Sequence, residues 1–238
     1  MRLKLLLLLI CSLGLINSSA DQIAIDKITE SLEKILLGTE VSHIRESKIP
    51  GVYEVLVGAE VLYISKDGQY MFRGELFDLA NRLNLSEQQR TVARVGILNN
   101  IPDGDYIKFS ANNQKHTVYV FTDITCSYCQ KFQNDMAEYN KRGISIKYLA
   151  FPRDGAGTQA SRNMESIWCA ADRNQAFKNA MTGKGISEAS CANPVNDQFE
   201  LGLSLGVRAT PTLYTEDGRL LQGYKTPDEL LSLVVNNQ

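Results

Sequence analysis

Apolar residues recur every three or four positions between Asp21 and Leu37, which is the period of a helix with one buried face. Gly38 follows directly, and glycine is common just past the end of a helix. Short runs of β-type residues then predict a small sheet with strands at residues 52–57, 61–65 and 70–73 and a hairpin turn at Asp67-Gly68. So small a unit leaves sheet edges unpaired, which favours pairing with a second copy.

A second helix is predicted from Ser86, because Ser86 and Gln89 have the spacing of a capping box. One face of this helix carries Val92, Val95 and Leu98. The pair Asn99-Asn100 and then Pro102 end it. We expect this helix to connect two domains.

Strands and helices alternate in the remainder of the chain, which predicts an α/β domain built around a strand-helix-strand unit. The predicted strands cover residues 116–121, 144–151, 212–214 and 220–223. The predicted helices cover residues 127–142, 159–171, 174–182, 194–205 and 227–235.

Charge and histidine content exclude two classes of function. The 238 residues carry 25 Lys and Arg against 27 Asp and Glu, a net charge of -2, so the chain lacks the basic excess of a nucleic-acid-binding protein. The two histidines, His43 and His116, lie far apart in the sequence and are too few for a His-rich metal site. We expect His43 in a loop and His116 at the start of a strand.

The N-terminus has the pattern of a secretory signal peptide. Arg2 and Lys4 precede an apolar run, residues 5–16, and small residues up to Ala20 predict cleavage after that position. A membrane anchor is the alternative, but the run is shorter than the roughly 20 residues that a spanning helix needs. Cys11 lies in the signal, so four cysteines remain in a compartment where disulfides persist.

The motif Cys126-Ser127-Tyr128-Cys129 stands between a predicted strand and a helix that begins at the motif. A thiol at a helix N-terminus is close to free N–H groups and the positive end of the helix dipole, which lower its pKa. This context predicts Cys126 as a nucleophile. Cys129, one turn further along, is within disulfide reach and less exposed, which suits a resolving role. A static disulfide or half of a zinc site are the alternatives.

Thr210-Pro211 opens a predicted strand, where proline is typical of a sheet edge or a cis bond. Strand, C-x-x-C motif, helix and this proline together resemble the thioredoxin superfamily. The resemblance implies that Thr210 and Pro211 form a cis-proline loop that lines the site and pairs with a substrate peptide.

Further segments resemble the DsbC branch of periplasmic disulfide isomerases, and the similarity covers essentially the whole chain after the signal. They are residues 121–126 (FTDITC), 148–153 (YLAFPR), 167–170 (IWCA) and 203–207. The resemblance implies an α+β, cystatin-like N-terminal dimerisation domain, joined by a linker helix to an α/β thioredoxin-fold domain with a helical insertion. We therefore divide the chain into a signal peptide (1–20), a dimerisation domain (21–85), a linker helix (86–104) and a catalytic domain (105–238).

The function that this resemblance implies is a periplasmic isomerase or reductase that rearranges non-native disulfides in exported proteins through Cys126 and Cys129, without metal or organic cofactor. The implied partners are misoxidised exported proteins, a DsbD-like membrane thiol reductase and a second copy of the chain; nucleic acid is not among them. The alternatives are a DsbG-like reductase of oxidised single cysteines, an oxidase, or mainly a chaperone for unfolded exported proteins.

Cys169 and Cys191 match the second cysteine pair of the family. The resemblance implies a structural disulfide around a helix, and closing a loop of this length stabilises a fold by roughly 3 kcal/mol. A second redox centre and a zinc site that uses all four cysteines are the alternatives.

The chain departs from the family pattern beside the nucleophile, with Ser127 in place of glycine and Gln130 in place of histidine. A hydrogen bond from Ser127 to the Cys126 sulfur stabilises a thiolate, whereas the loss of a histidine removes one cation, so the two changes oppose each other. Asp123 is either a turn residue at the start of the helix or a buried proton acceptor, and we favour the turn.

Overall fold

The computed structural model describes residues 14–36 and 41–236, which form two compact units that meet at Ser86 and Glu87. Most of the predicted signal peptide and the predicted helix stop Gly38 lie outside the described residues. Across the described ranges, no helix has both the length and the hydropathy that crossing a bilayer requires.

The first unit contains one long helix and a four-stranded antiparallel sheet. Its elements are α1 (Gly14–Glu33), β1 (Val41–Glu46), β2 (Val52–Val57), β3 (Glu60–Ser65), β4 (Met71–Phe72), the short pair β5 (Phe77–Asp78) and β6 (Leu83–Asn84), and the start of α2 (Leu85–Asn99). The sheet order is β1-β2-β3-β4, so β1 and β4 are its edges. Strands 52–57 and 61–65 and the return strand were predicted from the sequence and are confirmed.

The core of the first unit joins one face of α1 to the sheet. Ala24, Ile28 and Leu32 pack against Val55 and Leu62, all nearly inaccessible to solvent. The helix ends at Glu33, four residues before the predicted end, and Ile35 is 65% exposed. Residues 34–36 form a turn instead of the last helical turn that we predicted, although Leu36 still packs against the core.

Two other predictions for this unit are wrong. His43 lies in β1 rather than in a loop, with φ 53° at a bulge between Ser42 and Arg45. Ser86 does not cap α2; its hydroxyl accepts the Leu76 N–H (2.7 Å) and bonds the Tyr63 hydroxyl (2.6 Å). β1 was not predicted because its sequence is largely polar and does not alternate. The Ser86 hydroxyl, which local spacing assigns to a helix cap, is instead used in tertiary hydrogen bonds.

The second unit is a five-stranded mixed sheet with helices. After α2 come β7 (Ile107–Phe109), β8 (His116–Thr122), α3 (Ser127–Asn134), α4 (Met136–Lys141), β9 (Ile144–Ala150), α5 (Gln159–Trp168), α6 (Arg173–Met181), α7 (Val195–Ser204), β10 (Thr212–Thr215), β11 (Leu220–Gln222) and α8 (Pro227–Val235). The strand order is β11-β10-β8-β9-β7, with β8 and β9 parallel and the other pairs antiparallel. The predicted strand-helix-strand unit is confirmed.

The helix predicted for residues 127–142 is interrupted at Asp135, so two helices replace one. The Asp135 carboxylate accepts the Tyr224 hydroxyl at 2.6 Å, a contact from a distant part of the sequence. Aspartate has low helix propensity, and the bond to Tyr224 further favours a break in the helix at this position. The interruption leaves α3 as a short helix that begins within the cysteine motif.

The C-terminal part of α2 packs within the second unit. Arg94 and Leu98 are buried, Tyr106 donates to the Leu98 carbonyl at 2.8 Å, and Arg94 reaches the Gly218 carbonyl at 3.4 Å. Val92, which we expected on the apolar face, is 68% exposed. The buried face of α2 is therefore rotated from the predicted one, because an arginine with a carbonyl partner occupies part of it.

We expect Gly202→Ala to lower the free energy of unfolding by about 1–3 kcal/mol through overpacking. A Cβ at position 202 would lie 2.5 Å from Cδ2 of the buried Phe151 ring. Gly96→Ala in α2 is the matched control, because a Cβ there meets nothing within 4 Å, and it should raise stability by about 0.5–1 kcal/mol. Urea midpoints followed by circular dichroism test both, and equal effects would contradict the packing argument.

Candidate active site

The loop between β8 and α3 is held by the side chain of Asp123. Its Oδ1 accepts the Thr125 N–H and the Thr125 hydroxyl, each at 2.7 Å. The Cys126 N–H in turn donates to the Asp123 carbonyl at 3.1 Å. Asp123 therefore acts as the turn residue that the sequence predicts, and it places Cys126 at the N-cap of α3.

Arg153, just after β9, holds the other carboxylate oxygen of Asp123. The Arg153 N–H and Nε donate to Oδ2 at 2.8 and 3.2 Å. Burial alone raises the pKa of Asp123, but these bonds and those from Thr125 outweigh it, so the pKa is lowered. Asp123 is thus an ionised, fully engaged carboxylate and a weak proton acceptor, which leaves the turn as the supported reading.

Cys126 and Cys129 are both reduced and buried. The pKa of Cys126 is lowered to about 5, first by a hydrogen bond from the Cys129 side chain and then by Thr210 and the N–H groups of Cys129 and Tyr128, while burial opposes. These N–H groups are the unpaired donors at the start of α3. Cys126 is therefore a thiolate at neutral pH.

Cys129 has the opposite character. It is completely inaccessible to solvent, and burial, followed by the adjacent Cys126 sulfur, raises the pKa of its thiol. Cys129 is therefore protonated at neutral pH. The motif carries one thiolate and one thiol, which is the division of labour that thiol-disulfide exchange requires.

Thr210 and Pro211 lie directly against the motif. Their peptide bond is cis, and the Cys126 Sγ is 3.2 Å from the Thr210 carbonyl oxygen, to which the thiol form donates. β10 begins at Thr212, which pairs with Phe121 in β8. The sheet register thus brings residues 84 positions apart into one site.

The remaining residues of the motif region differ in their environment. Ser127 and Tyr128 are exposed, Tyr128 by 61%. The Gln130 side chain donates to the Ile124 carbonyl at 2.9 Å and so braces the loop. The donors that lower the Cys126 pKa are Cys129, Thr210 and backbone N–H groups, so the predicted bond from Ser127 is not among these causes.

Cys169 and Cys191 form a disulfide that joins the end of α5 to the segment before α7 and encloses α6. Because these two sulfurs are bonded to each other while Cys126 and Cys129 are free thiols, a zinc site built from all four cysteines is wrong.

Sequence reasoning missed three side chains around the motif: Arg153, Thr122 and Tyr148. Arg153 is held at the site by its bonds to Asp123. Thr122 and Tyr148 are completely buried in adjacent strands. Their segments, FTDITC and YLAFPR, resemble the family, but no local sequence pattern assigns these three side chains to a site.

We expect Cys129→Ala to raise the pKa of Cys126 from about 5 toward the ordinary thiol range, because Cys129 is the strongest of its stabilising donors. Cys129→Ser retains a hydroxyl donor and should give an intermediate value. The ultraviolet absorbance of the thiolate, followed against pH in the reduced protein, measures each value. An unchanged midpoint in Cys129→Ala would contradict the assignment.

The same pKa has a consequence for stability. The folded value of about 5 lies below the unfolded thiol value of about 8.5, so the unfolded chain binds more protons between these pH values. The reduced protein should therefore gain stability relative to Cys126→Ala as pH rises from 5 to 8.5, and lose this gain as pH falls through 5. Denaturant midpoints across that range provide the comparison.

Family comparisons agree with this geometry. Residues 17–87 match the disulfide bond isomerase protein N-terminal domain, and residues 103–237 match a thioredoxin-like domain. The chain is 38% identical over 211 residues to the thiol:disulfide interchange protein DsbC of Salmonella typhimurium, covering 89% of this chain and 87% of that protein. It is 37% identical to DsbC of Haemophilus influenzae, with 90% of each chain covered.

A solved structure, the disulfide interchange protein from Neisseria gonorrhoeae, is 29% identical with a TM-score of 0.51 and covers 58% of this chain and 99% of that one. The matches extend through both units and include the thioredoxin-like part that carries the two free cysteines. The chain therefore belongs to the DsbC family, with a DsbC-type N-terminal domain followed by a thioredoxin-like domain.

Proposed function

We propose that this protein rearranges non-native disulfides in exported proteins, with Cys126 as the nucleophile and Cys129 as the resolving cysteine. The observation that carries the proposal is the placement of the two thiols, with Cys126 at the N-cap of α3 beside Thr210 and Cys129 fully buried one turn later, which shifts their pKa values in opposite directions. A thiolate that is stable at neutral pH is ionised when it attacks and is a good leaving group afterwards.

In the first step the Cys126 thiolate attacks one sulfur of a substrate disulfide. A mixed disulfide forms and the second substrate sulfur leaves as a thiolate. That thiolate can attack another disulfide of the same substrate, which gives isomerisation and returns Cys126. Alternatively Cys129 attacks Cys126, which releases the substrate reduced and leaves a Cys126-Cys129 disulfide.

The substrate-binding role of Thr210 and Pro211 is part of this proposal. Thr210 flanks the nucleophilic sulfur, and the exposed Tyr128 offers an apolar surface beside it. Backbone at the start of β10 supplies hydrogen-bonding groups for an extended peptide, so recognition of many unrelated substrates does not depend on their sequences.

We expect Cys126→Ala to abolish the recovery of activity from a scrambled multi-disulfide protein in a glutathione buffer. Cys129→Ala should retain part of the isomerisation, because a substrate thiolate can still displace Cys126, while net reduction of the substrate is lost.

Thermal unfolding of each variant controls for folding. Equal activity of Cys126→Ala and the unmodified protein would refute the assignment. A chaperone would be favoured instead if Cys126→Ala suppressed aggregation while the unmodified protein failed to restore activity to the scrambled substrate. Reduction of oxidised single cysteines without any isomerisation would favour a DsbG-like reductase.

The cellular setting is proposed from the family resemblance and the N-terminal pattern. Cleavage after Ala20 would release the chain into the periplasm, where oxidised substrates occur. A membrane thiol reductase of the DsbD type would return a Cys126-Cys129 disulfide to the dithiol. Our division into residues 1–20, 21–85, 86–104 and 105–238 belongs to the same proposal.

We also propose that the first unit forms a homodimer through the edge of its sheet at β4. Within the described residues this strand pairs with β3 and has no neighbour on its other side. Large apolar side chains are exposed on and after it: Tyr70 (70%), Met71 (45%), Phe72 (49%), Phe77 (54%) and Leu79 (86%). A continuous exposed apolar surface beside an unpaired strand edge is typical of an interface, and a second copy offers a matching edge.

Leu79→Asp should shift the protein from dimer to monomer, because a charge at this surface must be desolvated when two copies associate. Val92→Asp is the matched control, since Val92 is also an exposed apolar residue but lies in another region. Light scattering across a concentration series measures the mass. A monomeric unmodified protein, or a dimer that Leu79→Asp leaves intact, would refute the proposed interface.

A further inference from the structure

Two buried hydroxyl side chains lie on the sheet face that α3 covers. Side chains alternate along a strand, and Val118 and Val120 of β8 belong to the same core cluster as Cys129. Thr122, two positions further along, therefore lies on that face. Tyr148 of β9 pairs in register with Val120 and belongs to the same cluster.

Contacts of α3 bring Cys129 into the same core cluster as Tyr148. Phe132, one turn after Cys129, packs edge-on against the Tyr148 ring with centroids 6.2 Å apart. The N–H of Asp123 and the hydroxyl of Thr122 act to lower the pKa of Cys129, which counteracts part of the rise that burial causes. The charge of a Cys129 thiolate likewise acts on Tyr148, whose pKa is raised, mainly by burial.

The Oγ1 of Thr122 and the hydroxyl of Tyr148 have no hydrogen-bond partner of accepted geometry among the described residues. Both side chains are completely inaccessible to solvent. Other buried tyrosines of this unit do have partners: Tyr106 donates to the Leu98 carbonyl at 2.8 Å and Tyr214 to the Leu205 carbonyl at 2.8 Å. Two unpaired hydroxyls thus lie on the sheet face whose core cluster includes the reacting Cys129.

The resolving step requires a Cys129 thiolate in a place that disfavours charge. After the mixed disulfide forms, Cys126 has no charge and its sulfur is bonded to the substrate. The Asp123 carboxylate already accepts four hydrogen bonds and is a weak base. A developing thiolate at Cys129 therefore needs hydrogen-bond donors more than it needs a general base, because burial is the main obstacle to its ionisation.

We propose that the hydroxyls of Thr122 and Tyr148 donate hydrogen bonds to Cys129 as its thiolate forms, and so accelerate the resolving step without affecting the attack by Cys126. This role rests on the proposed function of Cys129. Thr122 is the primary donor because it ends β8, directly before the loop that carries the motif, and Tyr148 supports it from the neighbouring strand.

The step balances within the protein and its substrate. Cys129 loses its proton and attacks the Cys126 sulfur, the bond between Cys126 and the substrate sulfur breaks, and the Cys126-Cys129 bond forms. Cys129 is oxidised and the substrate sulfur is reduced, while Cys126 stays at the disulfide level throughout. The electron pair leaves with the substrate thiolate, and the proton that Cys129 loses is balanced by the one that this thiolate takes up.

The test uses residues 21–238, which lack Cys11, with Cys126 and Cys129 reduced and the Cys169-Cys191 disulfide intact, and one equivalent of the aromatic disulfide dithiobis(nitrobenzoate). Attack by Cys126 releases the first coloured thiolate, and attack by Cys129 releases the second, so stopped-flow absorbance resolves the two steps. We expect Thr122→Val to slow the second phase roughly tenfold, because losing one hydrogen bond to a charged group corresponds to about that change in rate. Tyr148→Phe should slow it less. The first phase and its pH midpoint should not change.

Three variants serve as controls. Thr122→Ser keeps the hydroxyl and should restore the second phase to near the unmodified rate, which a purely structural role of the threonine methyl would not produce. Tyr106→Phe removes a buried tyrosine hydroxyl elsewhere in the unit and should leave both phases unchanged. Cys129→Ala should show the first phase only.

The outcomes separate this inference from the proposed function. Equal second-phase rates in Thr122→Val, Thr122→Ser and the unmodified protein would overturn the inference and leave the proposed function intact. Equal slowing of both phases would also overturn it, because the substitution then acts on the whole motif. A missing second phase in the unmodified protein would instead contradict the resolving role of Cys129.

Discussion

The chemistry of this protein depends on where the N-terminus of α3 meets the sheet. Cys126 is the N-cap residue, and unpaired N–H groups at the helix start stabilise its thiolate, whereas Cys129, one turn later, is buried in the core. The two sulfurs share one short motif, yet the pKa of one is lowered to about 5 and that of the other is raised. The first shift comes from oriented donors and the second from desolvation, so a single geometric feature supplies both the attacking and the resolving thiol.

The rest of the second unit fixes this feature in place. Asp123 ties the loop to Arg153 after β9, and β10 presents Thr210 to the nucleophile because it pairs with β8. The loop and the proline segment are therefore both fixed by strands of one sheet. Their positions follow from strand register, which is strongly determined when one side of each strand is buried. The site can be rigid although two of its three segments are irregular.

Local patterns were sufficient to predict the strand-helix-strand unit and the two motif cysteines, since each depends on residues that are close in sequence, whereas the role of Pro211 came from the family resemblance. Arg153, Thr122 and Tyr148 could not be found that way, because their roles arise from pairing between β8 and β9. The failures have the same origin. Ser86 matched a capping box, but its hydroxyl bonds Leu76 and Tyr63, and β1 lacks an alternating pattern because it is a bulged edge strand. Tertiary contacts decide these cases.

A buried hydroxyl without a partner destabilises a fold by about 1–3 kcal/mol, so the hydroxyls of Thr122 and Tyr148 destabilise the dithiol state of this protein. That cost is recovered when a thiolate forms at Cys129, because both hydroxyls then have an acceptor. The effect destabilises the resting thiol relative to the reacting thiolate, which lowers the barrier of the step in which Cys129 takes part. Cys126 gains nothing from it, as its donors come from the helix and from Thr210. Nucleophile and resolving cysteine would therefore be tuned by separate groups, one set on the helix and the other on the sheet.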